Sequence, residues 1–231
     1  MNMESLKDID LGKINSMYTY KGRVIPRVTS ILSKMIHEDY LLYWANSLGF
    51  KRKGYKQTLG EAADYGARTH KGIEEFLQEK EVPNNTPTNP IEAFKRWWNI
   101  VNSTNKVKIL GQEVSLTCPW FGGTYDLLIE INGAIYLVDF KTSNRLSYKY
   151  CLQLAAYNYM VKFNNLPNIS GVIVLRLKKD IPDFEELVLD FTNPNTLDFF
   201  NMCERTYLSL VHSYYHISEV ERRYKIIGEE D

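Results

Sequence analysis

The run GTYDLLIEINGAIYLVDFK, residues 123–141, constrains this chain more than any other segment. Asn132-Gly133 between two apolar runs is the strongest short-range signal for a two-residue hairpin, because a type I′ turn needs positive φ at both central positions. Such a turn pairs Ile131 with Ala134 and Leu128 with Leu137, and it sets Asp126 opposite Asp139 at the open end. Two like charges facing each other on a sheet, with Cβ atoms ~4.5–5.5 Å apart, are destabilising. A chain that keeps such a pair beyond two apolar strands implies a cation held between them. Lys141 lies two residues past Asp139 and on the same face, since strand side chains alternate with period two.

Around this hairpin the pattern alternates helices and strands. Residues 17–32 read as a short hairpin turning at Lys21-Gly22, then an extended piece entering a helix capped by Thr29 or Ser30. Tyr40, Leu41, Trp44 and Leu48 mark a helix over 38–50, closed by Gly49. Thr58-Leu59-Gly60-Glu61 fits a capping box with Thr58 at the N-cap. Leu59, Ala62, Ala63, Gly66, His70, Ile73 and Leu77 then form one inner face down to about Lys80. After a polar, proline-punctuated loop at 81–90, Asn89-Pro90 opens a helix bearing Phe94, Trp97, Trp98 and Val101. Strands are expected at about 106–117, 123–131, 134–141, 171–177 and 185–190, with a helix over 147–163 making a strand–helix–strand crossover. Asn193-Pro194-Asn195 caps a C-terminal helix over about 195–215.

The 231 residues suit one domain: an N-terminal helical part to about 105, a sheet core over about 106–190, and the C-terminal helix. Lys+Arg and Asp+Glu are both 28, so net charge points to no nucleic acid, and any such contact must come from local clusters. Cys118, Cys151 and Cys203 are scattered and odd in number, which excludes a disulfide framework and a Cys-only metal cluster. No run of 18 apolar residues exists, and the first residues lack the features of a signal or transit peptide. The expectation is an intracellular, cytoplasmic protein with no membrane partner.

Asp126, Asp139 and Lys141 carry the chemistry. Two carboxylates can flank one or two Mg²⁺ or Mn²⁺ ions, which bind oxygen ligands, and a lysine beside them can orient water or stabilise charge on a phosphate. The plainer reading is two solvated carboxylates and a surface lysine. His70 is either a satisfied core histidine or a nitrogen ligand to the same ion. Gln153 and Tyr157, at i and i+4, share one helix face and can reach Lys141 or a phosphate, or serve only the helix and the core. Tyr20, Lys21, Arg23 and Arg27 form one basic cluster, and Lys51, Arg52, Lys53, Tyr55 and Lys56 a second; each is either a nucleic-acid contact or a solvated face.

In order, G-A-R-T-H (66–70), G-G-T-Y-D (122–126), V-D-F-K (138–141) and Q-L-A-A-Y (153–157) resemble the PD-(D/E)xK nucleases of the RecB-like exonuclease group, and among them most closely the phage exonucleases and the mitochondrial genome maintenance type. The segment VIPRVTSIL (24–32) is similar to a Pro-Ser-Val-Thr stretch of that group, with Arg27 in the usual serine position; Tyr125 stands where the signature proline often does. The resemblance covers about residues 20–160. It implies an α/β fold with a restriction-endonuclease-like core, a mixed central sheet flanked by helices, and an N-terminal helical elaboration. It implies that His70, Asp126, Asp139 and the Phe140 carbonyl are metal ligands, that Lys141 is the catalytic lysine, and that Gln153 and Tyr157 sit beside it. Glu113 is implied as a supporting acidic residue. Arg27, Lys51, Arg52, Lys53, Lys56 and Arg68 are the expected nucleic-acid contacts.

The implied activity is metal-dependent exonucleolytic hydrolysis of DNA, preferentially from free ends of single strands, with Mg²⁺ or Mn²⁺ and no iron–sulfur cluster, since that needs four cysteines. A phage or virus origin is compatible with the likeness. Two alternatives stay open: a structure-specific or restriction-type endonuclease of the same fold, and a catalytically silent DNA-binding module.

Overall fold

The computed structural model describes residues 13, 14, 17–37 and 54–229. The expected helix over 38–50 and the basic residues Lys51, Arg52 and Lys53 lie outside them.

The hairpin forms as its turn chemistry dictates. Asn132 and Gly133 take φ of 52° and 88°, as a type I′ turn requires. They join β5 (Gly122–Ile131) to β6 (Ala134–Lys141), with Ile131 paired to Ala134 and Leu128 to Leu137. On the other side of β5 runs β4 (Val107–Thr117), antiparallel, with its register shifted between Ile109 and Gly111. Chain reversal at the open end of β6 leads into α4 (Tyr148–Phe163), capped by the Ser147 side chain, which accepts from the Lys149 amide. The crossover returns as β7 (Gly171–Leu177), parallel to β6, and β8 (Phe184–Asp190) closes the order β4-β5-β6-β7-β8. A second, three-stranded sheet comprises β1 (Lys13–Ile14), β2 (Met17–Tyr20) and β3 (Arg23–Ile25), the last two joined by Lys21-Gly22.

Period-two alternation sorts the sheet into two buried faces. Leu128, Leu137, Val172, Val174 and Leu189 pack with α4, with α1 (Val28–Met35), and with α5 (Pro194–Glu229). Leu127, Ile129, Val138, Phe140, Ile173 and Leu175 pack with Phe94 and Trp97 of α3 (Thr88–Thr104) and Ile73 of α2 (Tyr55–Leu77). Helix α4 lies between sheet and α5, so ten of its residues are buried and it is apolar nearly all round. A mixed central sheet flanked by helices, with an N-terminal helical region, is consistent with a restriction-endonuclease-like core.

Several boundaries differ from expectation. Helix α1 starts at Val28, with Arg27 at the N-cap and no side-chain cap. Pro26 keeps the chain extended there, its carbonyl accepting the Gly122 amide at 3.0 Å. Helix α2 begins one turn early, at Tyr55, with Gly54 at its N-cap. The Thr58 hydroxyl donates back to the Gly54 carbonyl at 3.0 Å and Glu61 accepts from Gln57 at 2.9 Å, so the two supposed cap residues bond along the helix. Leu59, Ala62 and Ala63 are exposed, and the buried face of α2 is confined to its second half, at Thr69, Gly72 and Ile73. Helix α5 runs to Glu229 rather than about 215. Cys118, Cys151 and Cys203 are all buried. Among the described residues, no helix is long and apolar enough to cross a membrane.

Candidate metal centre

Five elements converge at the open end of the β5–β6 hairpin. Asp126 comes from β5, Asp139 and Lys141 from the end of β6, Glu113 from β4, His70 from α2, and Gln153 and Tyr157 from α4. Glu113 lies between Gln112, paired with Leu127, and Val114, paired with Tyr125, so it sits across from Asp126. It does so with φ of 49°, a left-handed conformation that interrupts the ladder.

His70, Glu113 and Asp126 form a triad whose ligand atoms lie within 4.8 Å of one another. His70 Nδ1 is 3.3 Å from Asp126 Oδ1 and 3.7 Å from Glu113 Oε1. Its Nε2 donates to the Phe140 carbonyl at 3.1 Å. A carbonyl can only accept, so this bond aims Nδ1 at the two carboxylates. Burial disfavours charge on the His70 ring, but Asp126 and Glu113 outweigh it and raise its pKa to about 10. Without a metal the imidazolium is the cation of the triad.

The picture of two bare charges repelling across the hairpin is corrected. The paired ladder ends at Leu127 and Val138, one step short of the aspartates. Asp126 Oδ2 instead accepts the Phe140 amide at 2.6 Å. Burial pushes its pKa up, yet His70, Lys141 and this amide hold it below the ordinary value. Asp139 is fully buried and titrates near 6, raised by burial and by the charge of Asp126 against the pull of Lys141. Its Oδ1 accepts from Gln153 at 3.1 Å, while Oδ2 meets the Lys141 ammonium at 2.6 Å. The angle of that ion pair leaves Oδ2 without a well-directed hydrogen bond. Gln153 also donates to the Tyr157 hydroxyl at 2.8 Å. Lys141 Nζ lies 5.0 Å from the Tyr150 ring centroid, a cation–π contact.

The donor set suits a hard divalent cation: carboxylate oxygens and one aimed imidazole nitrogen. Glu113 joins His70 and Asp126 in the triad; its residue type on a strand gives no sign of the left-handed turn that brings it there. The Phe140 carbonyl lies at the site and is engaged by His70. Asp139 stands beside the triad, held by Lys141 and Gln153.

A cavity of about 180 Å³ opens next to the triad, lined by Arg27, Thr29, Glu113, Thr124 and Tyr157 among others. The Thr124 hydroxyl shares hydrogen bonds of 2.7 Å with Tyr18 and with Ser115. Lys56 is exposed near the start of α2. Arg68 is tied to Asp64 at 2.9 Å and to the Asn85 carbonyl at 2.8 Å.

No family model matches the chain, and no curated protein matches it. Solved structures with a likeness include that of SSO0001, at 14% identity and a TM-score of 0.39, over 87% of this chain and 83% of that one. An alkaline exonuclease, LHK-Exo from Laribacter hongkongensis, shows 10% identity and a TM-score of 0.38, over 97% and 99%. LHK-Exo in complex with dAMP shows 12% identity and a TM-score of 0.33, over 70% and 85%. At such scores the chemistry of the site stands on its own side chains.

Proposed function

We propose that this chain is a metal-dependent deoxyribonuclease, an exonuclease that hydrolyses phosphodiester bonds from free ends of single-stranded DNA in replication, recombination or repair. The observation that carries the reading is the convergence of the His70–Glu113–Asp126 triad with the Asp139–Lys141–Gln153 chain at one point. His70, Asp126, Asp139, the Phe140 carbonyl and Glu113 would hold Mg²⁺ or Mn²⁺. When bound, the ion supplies Lewis acidity and lowers the pKa of its water. Lys141, kept charged by its two aspartates despite burial, offers an ammonium to the scissile phosphate or to the attacking water. Gln153 is a positioning residue: it fixes the Asp139 carboxylate and is itself set against Tyr157. Arg27 lines the small cavity together with Glu113, and with Lys51, Arg52, Lys53, Lys56 and Arg68 it would make the phosphate contacts.

The single-strand, free-end mode is supported by the family resemblance and by a sequence without a helix-turn-helix or zinc-finger motif for reading duplex. End-labelled linear and closed circular DNA, single- and double-stranded, incubated with Mg²⁺, Mn²⁺ or EDTA, tests all of it. Short products should accumulate from linear single strands only with metal, and single-stranded circles should survive. Rapid opening of circles would establish the endonuclease alternative, and no cleavage with either ion would leave a silent binding module.

A further inference from the structure

A larger pocket, of about 350 Å³, is lined by Arg23 of β3, by Trp120 and by residues of α5, and shares no lining residue with the small cavity. Its volume falls within the usual range for small-ligand sites. Trp120, in the turn between β4 and β5, and Tyr215 of α5 form its flat walls, and Val211 contributes to its apolar lining. Trp120 is 48% exposed, an unusual state for an indole that no core requirement explains. The Tyr215 hydroxyl donates to the Trp120 carbonyl at 2.7 Å, locking its ring to the turn. Arg23 sits 5.9 Å from the Tyr215 centroid. His212 and His216, one helical turn apart, bring their Nε2 atoms to 3.1 Å at the same pocket.

Aromatic walls with a rim of guanidinium and imidazoles match one ligand chemistry: a flat ring carrying an anion. A divalent cation is a poorer match. Two imidazoles supply only two ligands, the one cluster of three or more ligating residues among those described is the triad elsewhere, and Arg23 would repel a cation. The chain path ties the pocket to the candidate metal centre. Arg23 opens β3 and Arg27 follows two residues after its end, one lining each cavity, and Trp120 precedes by three residues the Gly123 that lines the smaller one. From Trp120 to Asp126 the strand can span at most ~20 Å at ~3.3 Å per residue.

We propose that this pocket holds one unpaired nucleobase of the DNA strand whose backbone enters the metal centre, with Trp120 and Tyr215 stacking on it and Arg23 meeting the adjoining phosphate. The assignment rests on the nuclease reading above and adds a base-binding subsite to it.

The test is equilibrium binding, in EDTA, of fluorescein-labelled oligothymidylates, intact or carrying one abasic nucleotide at each position in turn. Wild type should lose about tenfold in affinity when one particular position is abasic. Trp120→Ala should lose a similar factor on the intact oligonucleotide and respond equally to every abasic position. Trp120→Phe, which keeps a stacking face, should restore most of the affinity and the positional response. A flat abasic scan in wild type, or unchanged affinity in Trp120→Ala, overturns the subsite. If wild type then still cleaves linear strands with Mg²⁺, the nuclease reading stands without it. Absence of any DNA binding or cleavage by wild type overturns both.

Discussion

Asp126 separates ligand from scaffold when it is changed in two ways. Its Oδ2 is the acceptor for the buried Phe140 amide at 2.6 Å, and its Oδ1 faces His70 Nδ1 at 3.3 Å. Asp126→Ala removes both partners and strands the amide, at a cost of about 1–3 kcal/mol for the unsatisfied donor. Asp126→Asn keeps a carbonyl oxygen for the amide and gives up the charge facing His70, a smaller loss of roughly 1 kcal/mol or less. The gap between the two variants is thus about 2 kcal/mol, or some 4–8 °C in Tm for a chain of this length. Thermal unfolding in EDTA measures it directly, while cleavage with Mn²⁺ should fall by orders of magnitude in both variants. Coincident melting of the alanine and asparagine variants would refute the amide-acceptor role. If both variants melted above wild type, by roughly 0.5 kcal/mol, the simple repulsion of facing charges would be restored.

Three further outcomes are expected. His70→Ala should weaken Mn²⁺ affinity about tenfold or more in isothermal titration, and an unchanged titration would make His70 a scaffold residue alone. Gly123→Ala should destabilise the fold by about 1–3 kcal/mol in urea unfolding, because its new Cβ would stand 2.5 Å from the buried Tyr157 ring and disturb the Gln153–Tyr157 hydrogen bond; wild-type stability would show that the ring gives way freely. Replacing Lys51, Arg52 and Lys53 with alanine should flatten the salt dependence of single-strand binding, by about 0.7 in the log–log slope for each phosphate no longer neutralised, and an unchanged slope would return these residues to an ordinary solvated face.

The parts of this fold legible in the sequence are those governed by neighbours along the chain. Asn132-Gly133 admits one turn type, and that turn carries the β5–β6 register with it. The crossover through α4 follows from two apolar strands with a helix between. Local signals mislead where a side chain has two possible partners: Thr58 and Glu61 fit a cap, yet both bond within an already formed helix. The apolar face of α2 is shorter than its pattern because periodicity says which residues share a side, and only packing decides how much of that side is covered. At the candidate metal centre, Asp126, Asp139, Lys141 and Gln153 are readable from strand alternation and motif order. Glu113 enters only through the resemblance, as a supporting residue; its place within the triad depends on a register shift between Ile109 and Gly111 and on a backbone conformation that glutamate does not encode.

That conformation sets stability and ion retention against each other. A left-handed φ of 49° costs a residue bearing a Cβ about 1–2 kcal/mol, and glycine almost nothing. Glu113→Gly would relax the strand and delete a carboxylate from the triad in one step. A library sorted for thermal tolerance alone would therefore enrich glycine at this position, and one sorted for Mn²⁺ binding by the protein would purge it. Two selections on the same chain, run in parallel, would pull a single codon in opposite directions.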